Sequence, residues 1–305
     1  MTEDYAMSTD VTTDPITLPA WAEEARATPN RDGFLEIDGS SIHYLAWGDT
    51  ALAPLVLVHG NAASAEWWRF VAPLLATDYH VIAPDLGGMG DSSHCGRYAR
   101  ERYAEQVMAV ADALAPGRPP VLVGHSLGGY VAIMAGCTHG QRMAGLVVLD
   151  SPPREVDGAT FATYVQSSPV PRIYPDRASA LRRFKVLPHQ PVNCDFYLEH
   201  IAQTAIMPEA GGWRWKFDPA ALTHPRRLDY VDDLLIMRCP VALMWGALSE
   251  RFGAWERQVS RELLGDRLPL AEIPNARHHI MLDEPLALVT ALRTQLANWK
   301  ARRTG

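Results

Sequence analysis

The sequence predicts an α/β fold with a mostly parallel central sheet, helices on both of its faces, and an inserted helical segment. Short runs that are apolar at every position, at 55–58, 121–123 and 146–149, alternate with longer stretches of helical periodicity. Such runs suit strands buried on both faces. The rhythm then breaks from Ser151 to about Asp233, a stretch too long for a plain loop in a compact domain. With 305 residues, 48% of them hydrophobic, the chain can bury one large core and still carry such an insertion.

Taken in order, the elements divide the chain into three parts. Residues 1–32 read as a tail followed by a short lead-in helix, Pro19 to Arg26, that packs Trp21 onto the body. Residues 33–151 and 234–305 form the core. Its first strands alternate around Asp38-Gly39-Ser40, which is a hairpin signal, so the sheet begins with an antiparallel pair. Leu55 to Val58 follows as a strand, then a helix from Ala65 to Ala76 and a strand from Tyr79 to Ala83. A glycine-rich loop, 85–92, leads to a long helix over 98–115. The strand 121–125 and its helix come next, then a strand at 145–149. After the insertion the core resumes with a strand at 240–246, a helix at 255–264, a short strand near 268–273 and a last helix over 285–300. The insertion, 152–233, reads as a helical cap. It carries many prolines, the aromatic run Trp213-Arg214-Trp215-Lys216-Phe217, and helical patterns at 178–184 and 196–205.

Composition narrows the functional classes. A formal net charge of −7 and the lack of a dense basic run argue against nucleic acid as a partner. Cys95, Cys137, Cys194 and Cys239 lie far apart, without metal-ligand or disulfide-framework spacing, and read as reduced. No metal or organic cofactor is implied. The first twenty residues lack the basic and apolar regions of a secretory signal, and no stretch approaches the roughly 20 apolar residues of a membrane span. A cytoplasmic protein with a small-molecule substrate, monomeric or homodimeric, is the expectation.

The chemistry centres on Val121 to Ala132. Three apolar strand residues run into Gly124-His125-Ser126-Leu127-Gly128, and an apolar helical pattern takes over. This G-x-S-x-G turn between strand and helix is a nucleophile elbow, in which glycines without Cβ let the chain turn sharply and present the serine. A serine hydroxyl is a weak nucleophile and needs a base, an orienting carboxylate and donors for an oxyanion. Position in the chain puts the base in Ala276 to Pro285, before the last helix, because the order serine, acid, histidine goes with this elbow. His278 and His279 both stand there.

These features resemble the α/β-hydrolase family with a cap domain, over roughly residues 33–300. The family's base commonly precedes a Met by three residues and a Pro by seven. Met281 and Pro285 therefore select His278, although Arg277 replaces the usual glycine. The resemblance leaves two candidates for the acid. The position three residues after Gly246 is Ser249, with Glu250 one step further. The alternative placement, at the end of the preceding strand, is Asp150, which is favoured because a carboxylate at the tip of an apolar strand is costly without a partner. The oxyanion donors are expected to be the backbone N–H groups of Asn61 and Leu127, and His59 a structural loop histidine.

The segments His59-Gly60-Asn61 and Ala83 to Gly90 are similar to haloalkane dehalogenases, but those enzymes carry an aspartate in the elbow. Ser126 therefore points to cleavage of a carboxylic ester through an acyl-enzyme. Trp67, Trp213 and Trp215 are expected to line the substrate pocket. Arg172, Arg177, Arg182 and Arg183 are placed to meet a substrate carboxylate, as an aromatic ester or half-ester would present. A carbon–carbon bond hydrolase or lactonase of the same fold, and a small-ligand receptor, are the alternatives.

Overall fold

A computed structural model describes residues 17–153, 171–222 and 229–304. Residues 1–16 of the tail expected over 1 to about 18, and the parts of the insertion at 154–170 and 223–228, lie outside the described residues. The strands are β1 (Arg31–Ile37), β2 (Ser40–Trp47), β3 (Pro54–Val58), β4 (His80–Pro84), β5 (Val121–His125), β6 (Gly145–Leu149), β7 (Ile206–Glu209), β8 (Gly212–Trp215), β9 (Val241–Gly246) and β10 (Leu270–Ile273). Eight of them form one sheet in the order β1-β2-β4-β3-β5-β6-β9-β10. β2 is antiparallel to both neighbours, and every pairing from β4 to β10 is parallel.

Uniformly apolar strands fit this sheet because successive residues feed opposite cores. Leu55 and Leu57 pack with Val123, Val147 and Met244 on one face. Val56 and Val58 pack with Leu122, Val148 and Leu243 on the other. Each fully buried side chain of this kind contributes about 1.5–3 kcal/mol. The four cysteines are free thiols, so burial rather than cross-linking holds the sheet.

The lead-in helix α1 (Ala20–Ala27) seats Trp21 edge-on against Phe70 at 6.5 Å and Phe196 at 5.9 Å, as the sequence suggests. Two expectations need correction. The helix expected over 65–76 is a 3-10 turn, Ala65–Trp68, and one α turn, α2 (Ala72–Leu75). Pro73 fits the break, because it has no N–H to donate back to Arg69 and therefore stands in the first turn of a new helix rather than inside a continuous one. The insertion is mixed rather than purely helical: α5 (Arg177–Leu181) and α6 (Asp195–Thr204) accompany the hairpin β7–β8. The aromatic run falls on that hairpin, turned at Gly211 and Gly212, whose φ angles are 87° and 153°. The Gly-Gly pair was the available signal.

The core helices α3 (Arg100–Leu114) and α4 (Leu127–His139) precede the insertion, which is stitched to the core at the glycine-rich loop. Asp218 N–H donates to Gly88 O at 2.7 Å, and Tyr98 Oη donates to Asp218 Oδ2 at 2.6 Å. Asp85 fixes this loop from within. Its carboxylate accepts the N–H of Ala65 at 2.5 Å and of Asp91 at 2.8 Å, and lies 2.7 Å from His43 Nδ1.

Two predictions follow from this packing. A Cβ on Gly128 would lie 2.3 Å from Val58 O, where only backbone can give way. Gly128→Ala is expected to lose about 1–3 kcal/mol in urea unfolding. Burial alone would lower the His43 pKa, but Asp85 and Asp32 outweigh it and raise it to about 8. A raised folded-state pKa stabilises below the unfolded value of 6.5 and ceases to do so above 8. Urea titrations between pH 6 and 9 should show a loss of up to about 2 kcal/mol, and His43→Gln should flatten it.

Candidate active site

The sheet register brings the chemistry together. His125 pairs with Leu149, and Leu149 with Met244, so Ser126 and Asp150 emerge next to one another at the carboxyl ends of their strands. The loop after β10 crosses the same edge and supplies His278. Its Nε2 lies 3.0 Å from Ser126 Oγ, and its Nδ1 lies 2.8 Å from Asp150 Oδ1. Asp150 is buried and takes two further donors: Gly246 N–H at 2.8 Å on Oδ2, and Ser249 Oγ–H at 2.6 Å on Oδ1. Of these three groups, Ser126 alone is partly exposed. Glu250 is exposed, and the carboxylate hydrogen-bonded to His278 is that of Asp150.

The loops here hold strained backbone. Of the five non-glycine residues with positive φ among the described residues, four ring this edge: Ala62 (54°), Ser126 (53°), Asp150 (48°) and Asn275 (59°). Such conformations cost on the order of 1–3 kcal/mol each and persist only where neighbours fix them. Ser126 N–H donates to Leu149 O at 3.0 Å, Asp150 N–H donates to Met244 O at 2.8 Å, and Ser151 Oγ–H donates to Ser126 O at 2.7 Å. The loop after β3 comes close as well, since a Cβ on Gly60 would lie 3.3 Å from Ser126 Cβ. Among the described residues, the N–H groups of Asn61 and Leu127 donate to nothing, which leaves both available to a ligand oxygen.

Three other histidines lie at this edge, His125 and His279 against the His278 ring and His59 in the loop after β3, and each has a structural task. His59 donates from Nδ1 to Gly60 O at 2.7 Å and accepts Leu86 N–H at Nε2, 3.0 Å away. His125 Nε2–H donates to the carbonyl of His278 at 2.9 Å, and His279 Nε2–H donates to Pro188 O at 3.0 Å. Burial, and then the neighbouring His278, hold both His125 and His279 well below the ordinary histidine pKa, so they stay neutral beside the third ring. Ring nitrogens of His125, His278 and His279 lie within 4.8 Å of one another, near enough to share a metal ion. Both nitrogens of His278 are nonetheless engaged by Ser126 and Asp150. The positioning role of His125 escapes a sequence reading, because an elbow's second residue is variable in the pattern.

A cavity of about 200 Å³ adjoins the loop after β3. Asn61 and Trp67 form its core side, and Phe184, Val186, Trp215 and Phe217 come from the insertion. Trp213, expected in this wall, does not line it. Its backbone pairs with Tyr174 in both directions at 2.8 Å, and the Arg177 guanidinium lies 5.9 Å from its ring centroid. Of the four arginines considered, Arg183 alone reaches the cavity. Arg172 lies over Tyr174, and Arg182 donates to Ser179 Oγ. A larger groove of about 930 Å³ sits at the opposite ends of the strands, beside Pro54, Val121 and Ala144. Ligands of open α/β sheets bind at the carboxyl ends, which favours the smaller cavity.

A second seam ties the insertion to the His278 loop. The buried Asp283 accepts the N–H of Arg277 at 2.7 Å, the N–H of Asn193 at 3.1 Å and Nε2–H of Gln190 at 3.2 Å. Gln190 Oε1 in turn accepts the N–H of His279 at 3.0 Å.

Comparison with known proteins agrees with this fold. Residues 55–292 match the alpha/beta hydrolase family. A human serine hydrolase-like protein is 34% identical over 110 residues, covering 35% of this chain and 54% of that protein. A pimeloyl-acyl-carrier-protein methyl ester esterase from Edwardsiella ictaluri is 36% identical over 99 residues, covering 32% of this chain and 36% of that one. The matches thus span about half or less of these relatives' lengths. The structure of the thioesterase domain from the curacin biosynthetic pathway superposes with a TM-score of 0.72 at 25% identity, covering 87% of this chain and 99% of that domain. Among the described residues, no helix is long and apolar enough to cross a membrane.

Asp283→Ala would leave the Arg277 and Asn193 amides without their acceptor. An unfolding free energy lower by roughly 1–3 kcal/mol is expected from urea denaturation.

Proposed function

The chain belongs to the alpha/beta hydrolase family, and on that footing we propose that it is a serine hydrolase cleaving a carboxylic ester through an acyl-enzyme. The observation that carries this reading is the hydrogen-bonded line from Ser126 Oγ through His278 to Asp150. With Nδ1–H donated to Asp150, the free lone pair of His278 is on Nε2, facing the serine hydroxyl. That nitrogen takes the Ser126 proton as Oγ attacks the ester carbonyl, and Asp150 stabilises the imidazolium that forms. The N–H groups of Asn61 and Leu127 receive the tetrahedral oxyanion. Collapse breaks the ester C–O bond, and the alcohol leaves with the proton held on Nε2. Water then attacks the acyl-enzyme, with His278 again as base, and releases the acid.

A serine nucleophile favours acyl transfer over the alkyl-enzyme route, which needs a carboxylate in the elbow. The apolar wall with Trp67 and Trp215 is suited to the acyl chain. Similarity to a methyl ester esterase and to a thioesterase domain supports the reading, since both names describe acyl transfer to water.

The test is a panel of chromogenic esters with short to medium acyl chains. Wild type should turn over, Ser126→Ala and Asp150→Asn should each lose roughly 10⁴-fold or more in kcat, and Glu250→Gln should keep wild-type rates. Hydrolysis unaffected in Ser126→Ala, or no hydrolysis by folded wild type, would overturn the ester reading.

A further inference from the structure

The cavity beside Asn61 has an electrostatic bias that the chain as a whole lacks. Acidic residues outnumber basic ones, 35 to 28, yet Arg183, Lys185 and Lys216 line this cavity and no carboxylate does. Lys216 is already neutralised, with Nζ 2.7 Å from Asp91 Oδ2. Arg183 and Lys185 have no hydrogen bond or ion pair from their side chains among the described residues. Both are exposed, on either side of the half-buried Phe184, so they stand at the rim of an apolar wall rather than in its floor.

Two unpaired cations above an aromatic wall suit one kind of molecule: an apolar chain that ends in an anion. Resting on the ester-hydrolase reading, we propose that Arg183 and Lys185 recognise a carboxylate at the far end of the acyl chain, making monoesters of dicarboxylic acids the preferred substrates. The apolar part of the acyl chain lies against Trp67, Phe184 and Trp215, and its free carboxylate receives charge-assisted hydrogen bonds at the rim. Lys185 is the new element here, since it lies outside the set of arginines that the sequence brings forward. Because both cations are exposed, each should contribute modestly, on the order of three- to tenfold in binding, and less at high salt.

The experiment compares monophenyl esters of C4 to C8 diacids with phenyl esters of the matching uncharged acids. In wild type the ratio of kcat/KM, charged over neutral, should exceed one and peak at one chain length. In Arg183→Gln/Lys185→Gln that ratio should fall about tenfold, mainly through KM, whereas Arg182→Gln, which lies off the cavity, should leave it unmoved. Raising ionic strength should shrink the wild-type ratio. A wild-type ratio of one or less, or a ratio indifferent to the double substitution, overturns the proposal while leaving ester hydrolysis intact. If folded wild type cleaves none of these esters, the ester reading itself falls. Binding of the C8 monoester to Ser126→Ala, followed by tryptophan fluorescence, then decides the cation pair: weaker binding in the triple variant supports it, and equal binding overturns it.

Discussion

The buried carboxylate of Asp150 joins parts of this molecule that lie far apart in the chain. It sits at the end of β6, takes a backbone donor from the end of β9, a hydroxyl from Ser249 and the ring of His278. Two strand ends, the loop after β9 and one long-range loop therefore meet on two oxygen atoms. Without those donors, burial of the carboxylate would cost several kcal/mol. With them, the same group fixes the orientation of a histidine that arrives 128 residues later in the chain. The imidazole ring is in turn held from its own backbone carbonyl by His125.

Local strain and global order are linked at this edge. Ser126 and Asp150 both have positive φ, and both are tied down by N–H hydrogen bonds to carbonyls of the neighbouring strand. A parallel sheet buried on both faces supplies the rigidity that such positions require. The insertion adds a second constraint by fastening itself to two loops, one through Asp218 and Gly88 and the other through Asp283. The first of these seams borders the cavity, since Asp218 adjoins its lining residue Phe217.

Much of the sheet was legible because its strands are apolar at every position and because one glycine-bounded serine marks a turn of known shape. Ser126 could be singled out from spacing and context, and the choice of His278 needed the resemblance as well as position. What the sequence hid depended on distance in space. No local pattern reports that His125 supports His278, that Asp283 gathers amides from two segments, or that Lys185 shares a cavity with Trp67. The broken helix at Pro73 and the hairpin around Gly211 and Gly212 were visible as local signals, but the surrounding periodicity outweighed them. Trp213 and Trp215 share one face of β8, and only the one nearer Phe217 reaches the cavity, a difference of position along the strand that composition cannot report.

The proposed assignment of the acid to Asp150, at the end of β6, has a consequence for the loop that follows β9. In the resembling family that loop commonly carries the carboxylate, and its length and shape are then restricted by catalysis. Here Ser249 and Phe252 are buried anchors, whereas Glu250 between them is open to solvent. The tip of the loop is thereby released from chemical duty. It is a place where the chain can acquire new surface, a tag or a grafted recognition segment, without disturbing the hydrogen-bonded line from Ser126 through His278 to Asp150.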